Sequence, residues 1–425
     1  MKTYTNPERS LWAEICARPS SDNPVVRERV AGILRRVREG GDEALKALSM
    51  EIDGRELDSV EVTQAEIEQA SRLVSRKVKD AIAQAAGNIR SFHEAQMPST
   101  VEVETAPGVR CIQKPVPVGR VGLYIPGGTA PLFSTVLMLA IPASIAGCGT
   151  VILCTPTRRD GTVSPEVLYA ATFCGVQRIF KVGGAQAIAA MAYGTPTIPK
   201  VDKIFGPGNQ YVTTAKQMLS AGTVAIDMPA GPSEVMVIAD SSTDPSFAAA
   251  DLLSQAEHGM DSQVVLVTDE SSVAEKVLGE VERQKRELSR EGFVEGALEK
   301  SRIVVFDSED DIVAFANAYA PEHLIVSTRD PWSITDRITA AGSVFVGKYT
   351  PESAGDYASG TNHTLPTCGW AHSFSGVNMD AYLRKMTIQE ITREGLSGLS
   401  GTIISMAEAE GLQAHANAVK TRMKD

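Results

Sequence analysis

The residues best suited to chemistry lie in the second half of the chain, where His258, His323, His363 and His415 stand in polar or acid-flanked surroundings. Glu322 and His323, in APEHLIV, come just before a predicted strand. A carboxylate beside an imidazole suits base catalysis: the imidazole titrates near neutral pH and can take a proton from an alcohol, while the carboxylate orients it or activates water. A plain surface Glu-His pair has the same sequence. In LLSQAEHG, Gln255 and His258 are three apart on a predicted helix, so both side chains leave one face and can meet one ion. A helix-end histidine beside a hydrogen-bonded glutamine fits that spacing too, and a lone QxxH is weaker than HExxH. Asp356, in SAGDYASGTNH, is an acid in a glycine-rich loop, able to complete a coordination shell or simply to close an Asx-turn. Glu410 and His415, in EGLQAHANAV, are five apart, a poor match for one helix face unless a helix begins between them at Gly411.

Three glycine-rich turns, YIPGGTAP, VGGAQA and FGPGN, follow predicted strands. Backbone amides at such turns can approach phosphate, helped by the positive end of the following helix. None matches G-x-G-x-x-G, and tight packing explains them nearly as well. The elements that must carry these groups follow from periodicity. From Asn23 to about Met97 the apolar spacing is helical (Val26, Val30, Ile33, Leu34, Val37), with a second run opening at Thr63 in a capping-box-like TQAE. From Gly119, short β-branched runs alternate with helical segments as far as TVAIDM; the pattern restarts at VMVIAD and ends with SVFVG. Such alternation predicts an α/β protein with two parallel units. Residues 347–376, rich in Gly, Pro, Ser, Thr and Asn, predict a long loop over a site, and the tail from Asp380 is predicted helical.

At 425 residues the chain exceeds the usual ceiling for one hydrophobic core. With 41 basic against 52 acidic residues, a net charge of -11 and no sustained basic run, it lacks the electrostatic drive toward nucleic acid or an anionic membrane. The opening MKTYTNPERSLW has no apolar signal core, and no uncharged apolar run reaches the length of a membrane span. A cytoplasmic enzyme is expected. The cysteines (Cys16, Cys111, Cys148, Cys154, Cys174, Cys368) form no CxxC pair, so reduced and mostly buried thiols are expected. Neither Cys111 nor Cys148, the two nearest the motifs, is flanked by a histidine that would activate it as a nucleophile.

Taken together and in order, GLYIPGGTAPLFSTVLMLA, KVGGAQAIAAMAYG, VDKIFGPGNQYVT, IDMPAGPSEV, DLLSQAEHG, PEHLI, SAGDYASGTNHTLPT and AEGLQAHANAV resemble histidinol dehydrogenase across nearly the whole chain. The resemblance implies NAD-dependent, four-electron oxidation of L-histidinol to L-histidine through histidinal, the last step of histidine biosynthesis, with one zinc ion per subunit. It places the zinc ligands on Gln255, His258, Asp356 and His415. Substrate contacts fall on Ser233, His323, His363 and Glu410 as well as on the metal ligands, NAD contacts on Tyr124, Gln186 and Asn209, and the acid-base pair on Glu322 and His323. It also implies two Rossmann-like domains, one of them discontinuous. The expected division is an N-terminal segment 1–22, a discontinuous domain 23–123 with 234–377, an NAD-contacting domain 124–233, and a helical segment 378–425 exchanged within a homodimer that shares its active sites. Rival readings are a related dehydrogenase for another polar alcohol, a zinc hydrolase in which Glu322 activates water, and a metal-binding protein without catalysis. The hydrolase leaves Tyr124, Gln186 and Asn209 without a role, and the third reading leaves Glu322 and His323 idle.

Overall fold

Strands that are apolar on both faces need cover on both, which a parallel sheet between helices provides. The computed structural model describes residues 1–18, 23–127 and 131–424 and contains two such sheets. One has six strands in the spatial order Lys2–Thr5, Arg302–Val305, Gln263–Thr268, Glu234–Ala239, His323–Ser327 and Ser343–Val346, every pair parallel. Its two middle strands, QVVLVT and EVMVIA, are buried at every position. The other has five strands in the order Arg178–Phe180, Thr150–Cys154, Arg120–Tyr124, Lys203–Phe205 and Ala225–Ile226, again all parallel. The alternation read from the sequence thus yields the expected α/β architecture.

Three features depart from expectation. Helices Pro24–Leu48 (capped by Asn23), Gln64–Leu73 (with the Thr63/Glu66 capping box) and Arg76–Glu94 were expected to go with residues 234–377. They pack on the helices that cover the five-stranded sheet: Val30, Ile33, Leu34 and Val37 share a core with Ile188, Ala192 and Val212, and Ala70, Ile82 and Ile89 share one with Val136, Leu137 and Leu168, while Asn88 and His93 also reach Ala358 and Asn362. The tail is helical at Asp380 only briefly: after the four-residue helix Met379–Tyr382, Leu383–Ile391 is a strand, paired antiparallel over nine residues with Val109–Pro117 in a third, three-stranded sheet. Helices Arg393–Ala409 and Gln413–Arg422 follow it and pack on one another. The 347–376 stretch holds a short helix, Glu352–Tyr357, and Asp356 lies on it rather than in an Asx-turn.

All six thiols are free, but only Cys154 is buried and the others are half-buried. Burial pushes Cys148 up to about 11, as expected of a thiol that is not a nucleophile at neutral pH. Among the described residues no helix is long and apolar enough to cross a membrane.

Candidate active site

Two neighbouring strands, Glu234–Ala239 and His323–Ser327, begin side by side, with His323 opposite Val235. Ligands of open α/β sheets usually gather at the carboxyl ends of strands; here Glu322 and His323 stand at the amino-terminal edge. Helix Pro245–Ala256 runs back along the sheet and delivers Gln255 to the same edge, and His258 lies two residues past its last turn rather than on it. The backbone of Glu234 clamps the pair. Its N–H donates to Glu322 Oε2 at 2.8 Å, and its carbonyl accepts from His323 Nδ1 at 3.1 Å. A proton fixed on Nδ1 leaves Nε2 to face the site, 3.7 Å from Asp356 Oδ1 and with no hydrogen-bond partner. Burial alone would lower the His323 pKa, but the surrounding carboxylates of Glu352, Glu322 and Asp356 outweigh it and hold the imidazole well above its usual range. Burial also raises Glu322, against the pull of His323.

The clamp is itself anchored. Glu234 is 1% exposed, and its carboxylate takes two bonds from Arg18, at 3.0 and 3.1 Å, and one from the Cys368 N–H at 2.8 Å. Arg18→Met should strand this carboxylate in the interior and cost about 3–5 kcal/mol in urea unfolding. A loss below about 1 kcal/mol would mean that the ion pair is not what holds the strand start in place.

Gln255 is fully buried, and its amide nitrogen stands 3.3 Å from Glu322 Oε2 and 3.5 Å from His323 Nδ1. Turned over, the same amide donates to Glu352 and accepts from the Glu234 N–H at 3.1 Å, which satisfies both its ends. His258, Glu352 and Asp356 each present a ligand atom, all within 4.8 Å of one another. Ser233 Oγ stands 3.5 Å from His258 Nδ1. Burial pushes Glu352 up to about 8, with His323 opposing and Asp356, Glu322 and Asp251 adding to it; burial would raise Asp356 too, but His323, His363 and His258 hold it below the usual carboxylate range. Imidazole, carboxylate and amide oxygen are the donor types that suit zinc, and the buried, unpartnered Glu352 Oε2 and His323 Nε2 beside them fit a site made for a cation.

His363 is tied at both nitrogens. Nδ1 faces the Asp356 carbonyl at 2.9 Å, so it carries the proton, and Nε2 accepts from the Thr135 hydroxyl at 3.1 Å. It braces the Asp356 segment against helix Phe133–Ala146. Of the four expected zinc ligands, one chain brings together Gln255, His258 and Asp356. His415 and Glu410 are exposed in the C-terminal segment: Glu410 ends one helix, Gly411 turns the chain at φ 75°, and His415 rides on the next.

Tyr124, Gln186 and Asn209 all stand at the carboxyl edge of the five-stranded sheet. Tyr124 ends its strand, buried, with its hydroxyl accepting the Gly184 N–H at 3.1 Å. Gln186 is buried in the first turn of helix Gly184–Tyr193, and Asn209 caps helix Gln210–Ser220 through the N–H groups of Tyr211 and Val212. Gly206, at φ 123°, passes so close to the Tyr124 carbonyl that a Cβ would lie 2.1 Å from it, so glycine is required there. Below it Lys216 and Asp227 form a buried ion pair that also binds the Gly206 carbonyl and N–H. A cavity of about 370 Å³, lined by Asp53, Arg55, Gly127, Thr155, Pro156 and Arg158, opens at this edge. Of the YIPGGTAP turn, residues 128–130 lie outside the described residues.

Sequence reasoning missed Glu234, Arg18, Thr135 and Glu352. The one available signal was the four-residue spacing of Glu352 and Asp356, which shares a face only if a helix is expected there.

The histidinol dehydrogenase family model matches residues 16–423. Histidinol dehydrogenase of Bacteroides fragilis (strain YCH46) is 54% identical over 425 residues, covering 100% of this chain and 99% of that protein. The enzyme of that name from Aliivibrio fischeri is 53% identical over 397 residues, covering 93% of this chain and 90% of that one. The crystal structure of histidinol dehydrogenase from Elizabethkingia anophelis superposes with a TM-score of 0.96 at 48% identity, covering 100% of this chain and 98% of that chain. The chain therefore belongs to the histidinol dehydrogenase family.

Proposed function

We propose that this protein oxidises L-histidinol to L-histidine through histidinal, using two molecules of NAD and one zinc ion per site. The observation that carries the reading is the placement, in a chain of this family, of the Glu322–His323 pair against the Gln255, His258 and Asp356 donors at one sheet edge. Gln255, His258 and Asp356, with His415 from a second copy of the chain, would hold zinc, which would supply a Lewis acid to orient the substrate. NAD, the hydride acceptor, would rest on Tyr124, Gln186 and Asn209, where helix amino termini and glycine turns favour a pyrophosphate.

His323 is the proton acceptor for the carbinol hydroxyl: Glu234 keeps a proton on Nδ1, so the lone pair of the neutral ring is on Nε2, facing the site. A bound cation favours that neutral ring, since it offsets the carboxylates that otherwise hold the imidazole charged. Glu322, with Oε2 pinned by the Glu234 N–H, removes a proton from the water that adds to the aldehyde. The resulting hydrate gives up a second hydride and a proton to become the carboxylate. One alcohol, one water and two NAD thus become one carboxylate, two NADH and three protons. No thiol intermediate is required.

Two NADH should form per L-histidinol consumed, the activity disappearing on chelation and returning with zinc. A ratio of one would mean that the aldehyde is the product. Full activity after exhaustive chelation would remove the metal from the proposal.

A further inference from the structure

Glu352 stands outside the ligand set that the family resemblance implies, yet it is the least comfortable acid in the site. It is 1% exposed, one of its oxygens is buried without a partner, and the other abuts the Gln255 amide. It opens the short helix that carries Asp356 one turn later, so the two carboxylates leave the same face. With His258 they bring three ligand atoms within 4.8 Å. Glu322 and Asp356 add further carboxylates around the same space, and the unpartnered Nε2 of His323 stands 3.7 Å from Asp356 Oδ1. A buried carboxylate oxygen without a donor is a costly arrangement that a bound cation would relieve.

The Gln255 amide, with its nitrogen toward Glu352 and its oxygen on the Glu234 N–H, is satisfied at both ends in the empty site. To offer its oxygen to a cation beside Glu352 it must turn over, which sets two acceptors together and requires the cation between them. We propose that Glu352 is a cation-binding residue of this site and that it works with Gln255 as a pair: amide N–H to carboxylate when the site is empty, amide oxygen and carboxylate both toward the ion when it is filled. The inference rests on the zinc reading above. It goes further in giving Glu352 a role and in requiring the amide to turn over.

The test is zinc affinity, measured on metal-stripped full-length protein by competition with a chromophoric chelator, together with thermal melting of each protein with and without zinc. Wild type should bind one zinc per chain. Glu352→Gln should bind it at least about 10-fold more weakly, in the range seen when a metal-supporting residue is lost. Metal-free, the variant should melt at or above the wild-type temperature, because an amide that can still pair with Gln255 replaces a carboxyl group with an unpartnered oxygen. The rise in melting temperature on adding zinc should shrink accordingly. Glu352→Asp, which keeps the charge but withdraws it by one methylene, should fall between the two, and it serves as the readout should the glutamine variant fail to fold. Unchanged zinc affinity in a folded variant overturns the role of Glu352. A wild-type chain that takes up no zinc overturns the metal reading instead.

Discussion

His323→Asn is expected to lower turnover of L-histidinol by roughly 10²–10⁴-fold, the usual worth of a positioned general base, while leaving zinc content near one per chain. Asparagine is the informative replacement because its amide can still donate to the Glu234 carbonyl, which now accepts from Nδ1 at 3.1 Å, while nothing remains to accept a proton at the position of Nε2. Loss of activity with loss of metal would instead make His323 a structural part of the cation site. Glu322→Gln separates the two half-reactions. The glutamine oxygen can keep the bond from the Glu234 N–H, so the strand start stays in place, but it cannot take a proton from water. Oxidation of histidinal should slow at least about 10-fold more than oxidation of the alcohol. Equal slowing of both steps would contradict the division of labour between the two residues.

Much of the fold was legible because local pattern and final environment agree. EVMVIA and QVVLVT read as continuous apolar strands and are buried on both faces, and TQAE reads as a capping box and forms one. The pattern fails where a partner is distant. Strand Leu383–Ile391 has eight exposed residues among its nine, so no buried face marks it, and only its pairing with Val109–Pro117 makes it a strand. Lys2–Thr5 is likewise a strand only because Arg302–Val305 offers it an edge.

The site shows the same division. Gln255, His258, Glu322, His323 and Asp356 stood out because their residue types are uncommon in such surroundings. Arg18 and Glu234 did not, since an arginine near a chain start and a glutamate in AGPSEV carry no local sign that they will meet, and Glu234 acts on the pair through its backbone, which any residue possesses. Glu352 was hidden by the glycine-rich composition of 347–376, which argues for a loop and conceals the single helical turn that aligns it with Asp356.

The C-terminal segment supplies the remaining test, for the proposal that each site is shared between subunits. Helix Arg393–Ala409 buries only Gly395 and Ala407, while Met386, Ile388, Ile391, Met406 and Leu412 are 39–61% exposed along the same segment. An arm that buries so little against its own chain and carries His415 and Glu410 exposed is suited to lie on a second copy. Subunits bearing His323→Asn and subunits bearing His415→Ala should each be inactive alone. Mixed by co-expression, they should recover on the order of a quarter of wild-type activity, because random pairing makes half the dimers mixed and each mixed dimer holds one site with both histidines intact. If the arm served its own chain, every site in every mixed dimer would lack one histidine or the other, and mixing would restore nothing. Recovery that disappears when the two variants are joined on one chain would complete the case, since all sites would then carry both defects.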